Sequence, residues 1–511
     1  MQKDNRLLYS LAFVKLILPF LLQSPLYEPH RDEFLYLAEG RHMAWGFMEV
    51  PPLLSVFAWL TNLFGEGMFW IKFWPSLFGS LTYIIAGKII LSFGGRSFAL
   101  FLAFLPFIFG VYLRLFYLFQ PNFLEVFFWT MLAYSTIRYI QTAKNKWLYI
   151  FGISAGLGMM SKYSIAFFIV SVAAGLLFTP QRKILFNKHF WYAAIIGFLI
   201  LLPNILWQFQ NHLPVVFHMR ELQQTQLQYV DTPGFLIDQV LMNLPCVFVW
   251  MAGFWFAAFT KQGRPYRFAA WAYIFVIILL IVLHGKNYYS IGVYPMLLAF
   301  GSFHLEQFTL DRKYLRYVFV LLIFILGLPL VPAALPVASP EKLDHYYNTM
   351  KFSRTNLLKW EDLQYHPLPQ DFSDMLGWEE MIQKVATAYK RLNNAEKQHT
   401  ILFCDNYGQA GAANFYAKKY HLPYAYSDNA SFLYWLPDSM HIDNIILVTD
   451  DQQEMQHDFI KDFQYAAVND SVTNAYARER GSLIITLKGA NEAFNQMFKE
   501  KIKDDKAQFK Y

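Results

Sequence analysis

Apolar residues run through the first two thirds of the chain in long blocks. Each is near the length a helix needs to cross a bilayer, about 20 residues. The blocks fall near 7–24, 68–93, 97–117, 123–141, 147–161, 164–179, 190–208, 235–259, 268–284, 288–305 and 316–334, which predicts 11 crossings. The fifth and sixth are short. Ser161-Lys162-Tyr163 separates them and predicts a turn at the membrane edge. Residues 52–64 are apolar but too short to cross, so they predict an interfacial or re-entrant helix. The first block follows Lys3 and Arg6 and has no small-residue cleavage pattern, which predicts a retained helix.

The blocks end at Leu335-Pro336. Beyond them, short apolar runs at 401–404, 445–448 and 483–487 predict buried strands, and residues 408–420 and 450–463 predict helices. Strands alternating with helices predict a small α/β layer domain. The fold class is therefore a polytopic α-helical membrane protein with a C-terminal soluble α/β domain. The expected division is 1–335 and 340–511, with a first outer loop at 25–67.

Composition agrees. The chain is 56% hydrophobic and 16% charged, against about 25% charged in an ordinary soluble domain. The net charge of +6 does not point to nucleic acid, because Lys and Arg fall between the apolar blocks. Cys246 and Cys404 show no disulfide framework and no metal-ligand spacing. Basic residues also set the orientation. With the N-terminus inside, every inside loop is basic: Lys3 and Arg6; Arg96; Arg138, Lys144 and Lys146; Arg182, Lys183 and Lys188; Lys261, Arg264 and Arg267; Arg312, Lys313 and Arg316. Residues 340–511 then lie outside. Asp32, Glu33, Asn122, Glu125, Lys162 and Lys286 gather on that same outer face.

The densest charge is His30-Arg31-Asp32-Glu33, continuing through Tyr36, Glu39, Arg41 and His42 to Glu49-Val50-Pro51-Pro52. Ionisable groups near a membrane are costly and tend to line wet cavities. One carboxylate of an acid pair can take a proton from a hydroxyl. Its neighbour points elsewhere on regular structure, so Asp32 and Glu33 are expected to have different roles, and a solvated loop is the bland alternative. Asn122 and Glu125 lie one helical turn apart and can face one cavity, although Asn122 also fits a helix N-cap. Lys286, beside Tyr288 and Tyr289, can hold a lipid phosphate or snorkel as an anchor. Lys162 beside Tyr163 has the same two readings. His30 and His42 lack the spacing of metal ligands. No motif demands a cofactor, and a divalent metal stays open. Gly408 and Gly411 after a strand read as a turn and helix start rather than a phosphate loop.

The outer-loop residues resemble glycosyltransferase family 39. These are the bacterial relatives of dolichyl-phosphate-mannose protein mannosyltransferases and of the aminoarabinose transferase that modifies lipid A, within the GT-C superfamily. Asp32-Glu33 to Tyr36, Ala38-Glu39-Gly40-Arg41 and Glu49-Val50-Pro51-Pro52-Leu53 carry the resemblance. It continues through Lys72-Phe73-Trp74-Pro75-Ser76-Leu77, Phe119-Gln120-Pro121-Asn122, Gly158-Met159-Met160-Ser161-Lys162-Tyr163 and Gly285-Lys286-Asn287-Tyr288-Tyr289. The family has Arg where this chain has Lys72. Residues 368–379 and 406–412 resemble the outer domain of a bacterial subgroup with no assigned chemistry.

The resemblance implies inverting transfer of a sugar from a polyprenyl-phosphate donor to a lipid, glycan or protein acceptor on the outer face of the inner membrane. It also implies a catalytic acid in the first outer loop. Asp32 is the expected general base and Glu33 its runner-up or helper. Lys286, Tyr288, Tyr289, Lys162, Tyr163, Asn122, Glu125, Lys72, Glu49 and Arg41 are the expected substrate-binding residues. A lipid-linked-saccharide flippase would instead carry charge through the midplane and show helices broken in both halves. A non-catalytic scaffold would make the acid pair dispensable.

Overall fold

A computed structural model describes residues 2–352, 355–438 and 440–508. Helices cover each of the expected membrane segments over most of its length. By length and composition alone, five helices among the described residues can cross a membrane: Gln2–Leu22, Met68–Ser92, Lys188–Gln210, Arg264–Val282 and Tyr314–Ala334. Thr232–Leu241 and Leu244–Phe259 make a sixth, bent by 66° at the break between them. The remaining segments are shorter. Residues 97–117 were expected as one helix, but Ser97–Ile108 stops after Pro106. Gly110 turns the chain at φ +82°, and Val111–Leu115 resumes it. Proline removes the ladder N–H and glycine permits the left-handed turn.

The first outer loop folds inward rather than into solvent. Helix Arg31–Arg41 buries Glu33 and every residue from Phe34 to Gly40. His30 caps its start: Nδ1 accepts the Asp32 N–H at 3.1 Å, and the Glu33 carboxylate accepts the His30 N–H at 2.8 Å. This is a capping box with histidine in the usual Ser/Thr place. The short apolar stretch is helix Leu53–Leu63, packed beneath Arg31–Arg41.

The C-terminal region carries one sheet. Its strands are β1 (Thr400–Cys404), β2 (Ala425–Tyr426), β3 (Asn444–Thr449), β4 (Phe463–Ser471) and β5 (Leu483–Ala490), in the order β2-β1-β3-β5-β4. β1 runs parallel to β2 and β3, and β5 runs antiparallel to β3 and β4. The expected helix at 450–463 is instead two 3-10 turns running into β4. Polar side chains there bond to the nearby backbone, with Thr449 Oγ1 accepting the Asp451 N–H at 3.0 Å and Asp451 accepting the Gln453 N–H at 2.7 Å. Such local bonds compete with helix.

Helix Tyr407–Tyr420, which follows β1, lies across Arg31–Arg41. A Cβ on Gly408 would meet Arg31 Cγ at 2.6 Å, and one on Gly411 would meet Phe34 Cβ at 2.7 Å. This glycine pair therefore sets a close helix crossing. The carboxyl end of β1, where the chain crosses to opposite sides of the strand, points at the outer loop. Crevices at such points of a sheet are common ligand sites.

Candidate active site

Asp32 stands where the outer loop, the start of helix Asn122–Thr142 and the C-terminal region meet. Its Oδ1 accepts the Tyr407 hydroxyl at 2.8 Å, and its Oδ2 accepts Gln120 Nε2 at 2.9 Å. The side chain remains 31% exposed, so one face is open. Burial raises its pKa, but His30, the Tyr407 hydrogen bond, Arg31 and Arg478 outweigh burial and hold it below the ordinary value. Asp32 is thus an ionised carboxylate with two fixed donors and room for a third.

Glu33 lies differently. It is fully buried, and both oxygens accept from Lys72 Nζ, at 2.6 and 2.7 Å. Oε1 also accepts the Phe119 N–H at 2.7 Å, and Oε2 accepts the His30 N–H. Lys72 is fully buried too, 4.2 Å from the centre of the Tyr117 ring. No face of this pair is left for a substrate. The residue at the family's arginine position therefore ties a helix to the outer loop.

A polar chain runs on from Asp32. Gln120 Oε1 accepts from Asn122 Nδ2 at 3.4 Å, and Asn122 Oδ1 accepts from Lys162 Nζ at 2.6 Å. Lys162 also donates to Glu125 at 2.8 Å and lies 4.5 Å from the centre of the Tyr289 ring. Asn122, Glu125, Lys162, Tyr288 and Tyr289 thus come together. Glu125 neutralises Lys162. Lys286 is freer: its Nζ lies 3.7 Å from Glu361 and 5.9 Å from the centre of the Tyr288 ring.

Three other expected binding residues lie elsewhere. Tyr163 donates to Asn204 at 2.8 Å and accepts from Gln208 at 3.0 Å, facing helix Lys188–Gln210. Arg41 pairs with Glu66 at 2.7 Å and donates to the Asn414 carbonyl at 3.1 Å. Glu49 accepts the Ser431 N–H at 2.9 Å and its hydroxyl at 2.5 Å. Arg41 and Glu49 fasten the outer loop to the C-terminal region.

His30 and His42 diverge. His42 stacks on Trp435 with ring centres 4.1 Å apart. His30 Nε2 is buried without a hydrogen bond, 3.8 Å from Asp371 and 3.6 Å from Asp374. This trio has the spacing of a cation site, as do Asp451, Glu454 and His457. Its chemistry fits a cation poorly. His30 Nδ1 already accepts the Asp32 N–H. Arg114 pairs with Asp371, and Arg478 with Asp374 at 3.3 Å. The two carboxylates already have their positive partners.

The sequence reading did not single out Tyr407, Gln120, Asp371, Asp374, Arg478 or Glu361. Five of these lie far along the chain from Asp32. A faint signal existed: Gln120, Tyr407, Asp371 and Asp374 all fall inside stretches that carried the family resemblance.

Glu39 supplies a pH test. It is fully buried and accepts the Ser55 hydroxyl at 2.9 Å. Burial, then the charge of Glu49, pushes its pKa well above the ordinary 4.5, so the neutral acid is favoured in the fold. A raised acid contributes stability below its unfolded pKa and loses it as pH climbs toward its folded one. Glu39→Gln should therefore gain stability relative to the wild type as pH rises from that ordinary value. Thermal unfolding in detergent across pH checks this, and parallel curves would contradict it.

Residues 49–207 match the family model described as dolichyl-phosphate-mannose-protein mannosyltransferase. No curated protein matches the chain. Among solved structures, the fold is similar to ArnT from Cupriavidus metallidurans bound to undecaprenyl phosphate. The TM-score is 0.61 at 14% identity, over 94% of this chain and 97% of that one. The apo form of ArnT gives a TM-score of 0.59 at 13% identity, over 93% and 96%. The oligosaccharyltransferase of Archaeoglobus fulgidus, in complex with Zn and sulfate, gives 0.51 at 13%, over 86% and 68%. The family segment and the fold likeness fall on one chain: residues 49–207 match the mannosyltransferase model, within a polytopic helical fold similar to that of ArnT.

Proposed function

We propose that this protein moves a sugar from a polyprenyl-phosphate donor to an acceptor hydroxyl on the outer face of a bacterial inner membrane, with inversion. The observation that carries this reading is Asp32, a carboxylate held ionised by fixed donors with one face open. As base, it takes the acceptor proton while the hydroxyl oxygen attacks the anomeric carbon opposite the phosphate. The bond from that carbon to the phosphate oxygen breaks, and the lipid phosphate leaves with its electron pair. A phosphate leaving group has a low pKa and needs positive charge more than a proton. Lys286 suits that task better than Lys162, which Glu125 already engages. Tyr288 and Tyr289 wall the space between them. The fold likeness to ArnT bound to undecaprenyl phosphate supports a lipid-phosphate donor. The basic inside loops support a C-terminal region on the outer, periplasmic side.

Mass spectrometry of lipids and glycans from cells with and without the protein tests this directly. A sugar-bearing species should vanish with the gene, and identical profiles would count against transfer. Lys286→Ala should raise the donor KM by roughly ten- to a hundredfold, the loss of one charge-assisted contact. Lys286→Arg should keep part of the function. An unchanged donor KM would make Lys286 an anchor only. Cysteine labelling should find residues 180–189 inside and residues 340–511 outside. Labelling of the C-terminal region from the cytoplasm would remove the outer-face chemistry.

A further inference from the structure

Glu361 sits between two cations from different parts of the chain. Its Oε1 lies 3.7 Å from Lys286 Nζ of the membrane part, and its Oε2 lies 3.7 Å from the Arg478 guanidinium of the C-terminal region. Both separations exceed a hydrogen bond, which runs to about 3.2 Å. The three side chains are 23%, 27% and 48% exposed for Lys286, Arg478 and Glu361. The contact is therefore loose and reachable from outside.

Glu361 is nevertheless aimed. Its backbone N–H donates to Gln370 Oε1 at 2.8 Å, and Gln370 Nε2 donates back to Glu361 Oε2 at 3.1 Å. It rides on a small hairpin. Lys359 pairs with Tyr365, and the Trp360 N–H bonds to the Gln364 carbonyl at 3.0 Å. The Trp360 ring stacks on His366 with centres 3.5 Å apart, and its indole N–H reaches the Leu368 carbonyl at 2.9 Å. The hairpin thus presents one carboxylate to two cations without completing a hydrogen bond to either.

We propose that Lys286 and Arg478 form a two-domain seat for a phosphate group, the headgroup of the lipid donor or product, and that Glu361 fills this seat when it is empty of lipid. The proposal rests on the function above and adds to it Arg478 and a resident competitor. Glu361 meets neither cation at hydrogen-bond distance, while Asp374 holds Arg478 at 3.3 Å. A phosphate offers more oxygens and more charge, and a guanidinium recognises it in a fixed fork. Its arrival displaces Glu361 toward solvent. Seating then needs both parts of the chain docked, next to Asp32.

The test is the affinity of the detergent-solubilised full chain for undecaprenyl phosphate, read by ligand-dependent thermal stabilisation without turnover. Glu361→Gln keeps the shape and removes the competing charge. It should tighten binding by about tenfold, a 1.4 kcal/mol change. Arg478→Ala should weaken binding by about tenfold or more, with Arg478→Lys between it and the wild type. Inorganic phosphate forms the second arm. Millimolar phosphate should compete with the lipid in the wild type and lose that effect in Arg478→Ala, which assigns recognition to the phosphate itself. Competition that survives in Arg478→Ala would place phosphate elsewhere and overturn the seat. Unchanged or weaker lipid binding in Glu361→Gln would overturn the competitor, and that variant alone decides the matter if Arg478→Ala is recovered poorly. Full binding with no sugar transfer would sink the proposed function and leave the seat standing.

Discussion

Asp32→Asn should fold normally and lose turnover by about 10²–10⁴-fold, the usual contribution of a positioned acid or base. The amide keeps the shape of the carboxylate. Its oxygen still accepts from Tyr407, and the Gln120 amide can turn to accept from the new NH₂ group. What disappears is basicity. Donor KM should change little, because the phosphate contacts lie with Lys286. In the wild type, activity should fall only as pH drops through the lowered Asp32 pKa, since the ionised form is the working one. Single-turnover transfer of labelled sugar measures the loss apart from product release. Near-wild-type turnover in Asp32→Asn would end the general-base mechanism. Tyr407→Phe should produce a smaller loss, of about tenfold. It removes one donor, lets the Asp32 pKa rise and moves the acid limb to higher pH.

Much of this protein was legible along the chain because its strongest signals are local. Eleven apolar blocks mark helices whatever their partners. Strands β1, β3 and β5 showed as short apolar runs because they are central in the sheet. Edge strand β4 reads Phe-Gln-Tyr-Ala-Ala-Val-Asn-Asp-Ser, too polar to stand out, and two-residue β2 has no pattern at all. The site divided the same way. Asp32 could be picked as a candidate because it lies in a dense charged motif. Its partner Tyr407 lies 375 positions away, and only the crossing of two helices at Gly408 and Gly411 brings it in. The different fates of adjacent Asp32 and Glu33 follow from helix geometry: neighbours point about 100° apart, so one keeps an open face and one faces Lys72. Sequence required different roles for them. Only packing could say which carboxylate was buried.

Glu33→Gln should therefore be a folding variant rather than a slow enzyme. Glu33 and Lys72 share a fully buried ion pair, and Glu33 also holds the Phe119 and His30 N–H groups. Removing one charge leaves Lys72 buried and unpaired, which costs about 3–5 kcal/mol. That is a large part of a typical domain's stability, about 5–15 kcal/mol. The expected result is low recovery and a sharply lowered Tm in detergent, with Lys72→Met behaving alike. The double variant Glu33→Gln, Lys72→Met removes both charges together. It should recover much of the lost stability, because buried pairs replaced by uncharged groups are often neutral. Residual turnover per folded molecule should stay well above that of Asp32→Asn. A Glu33→Gln protein that folds at normal yield yet transfers more slowly than Asp32→Asn would reverse the assignment. The base would then be Glu33, and Lys72 would be the group that sets its charge.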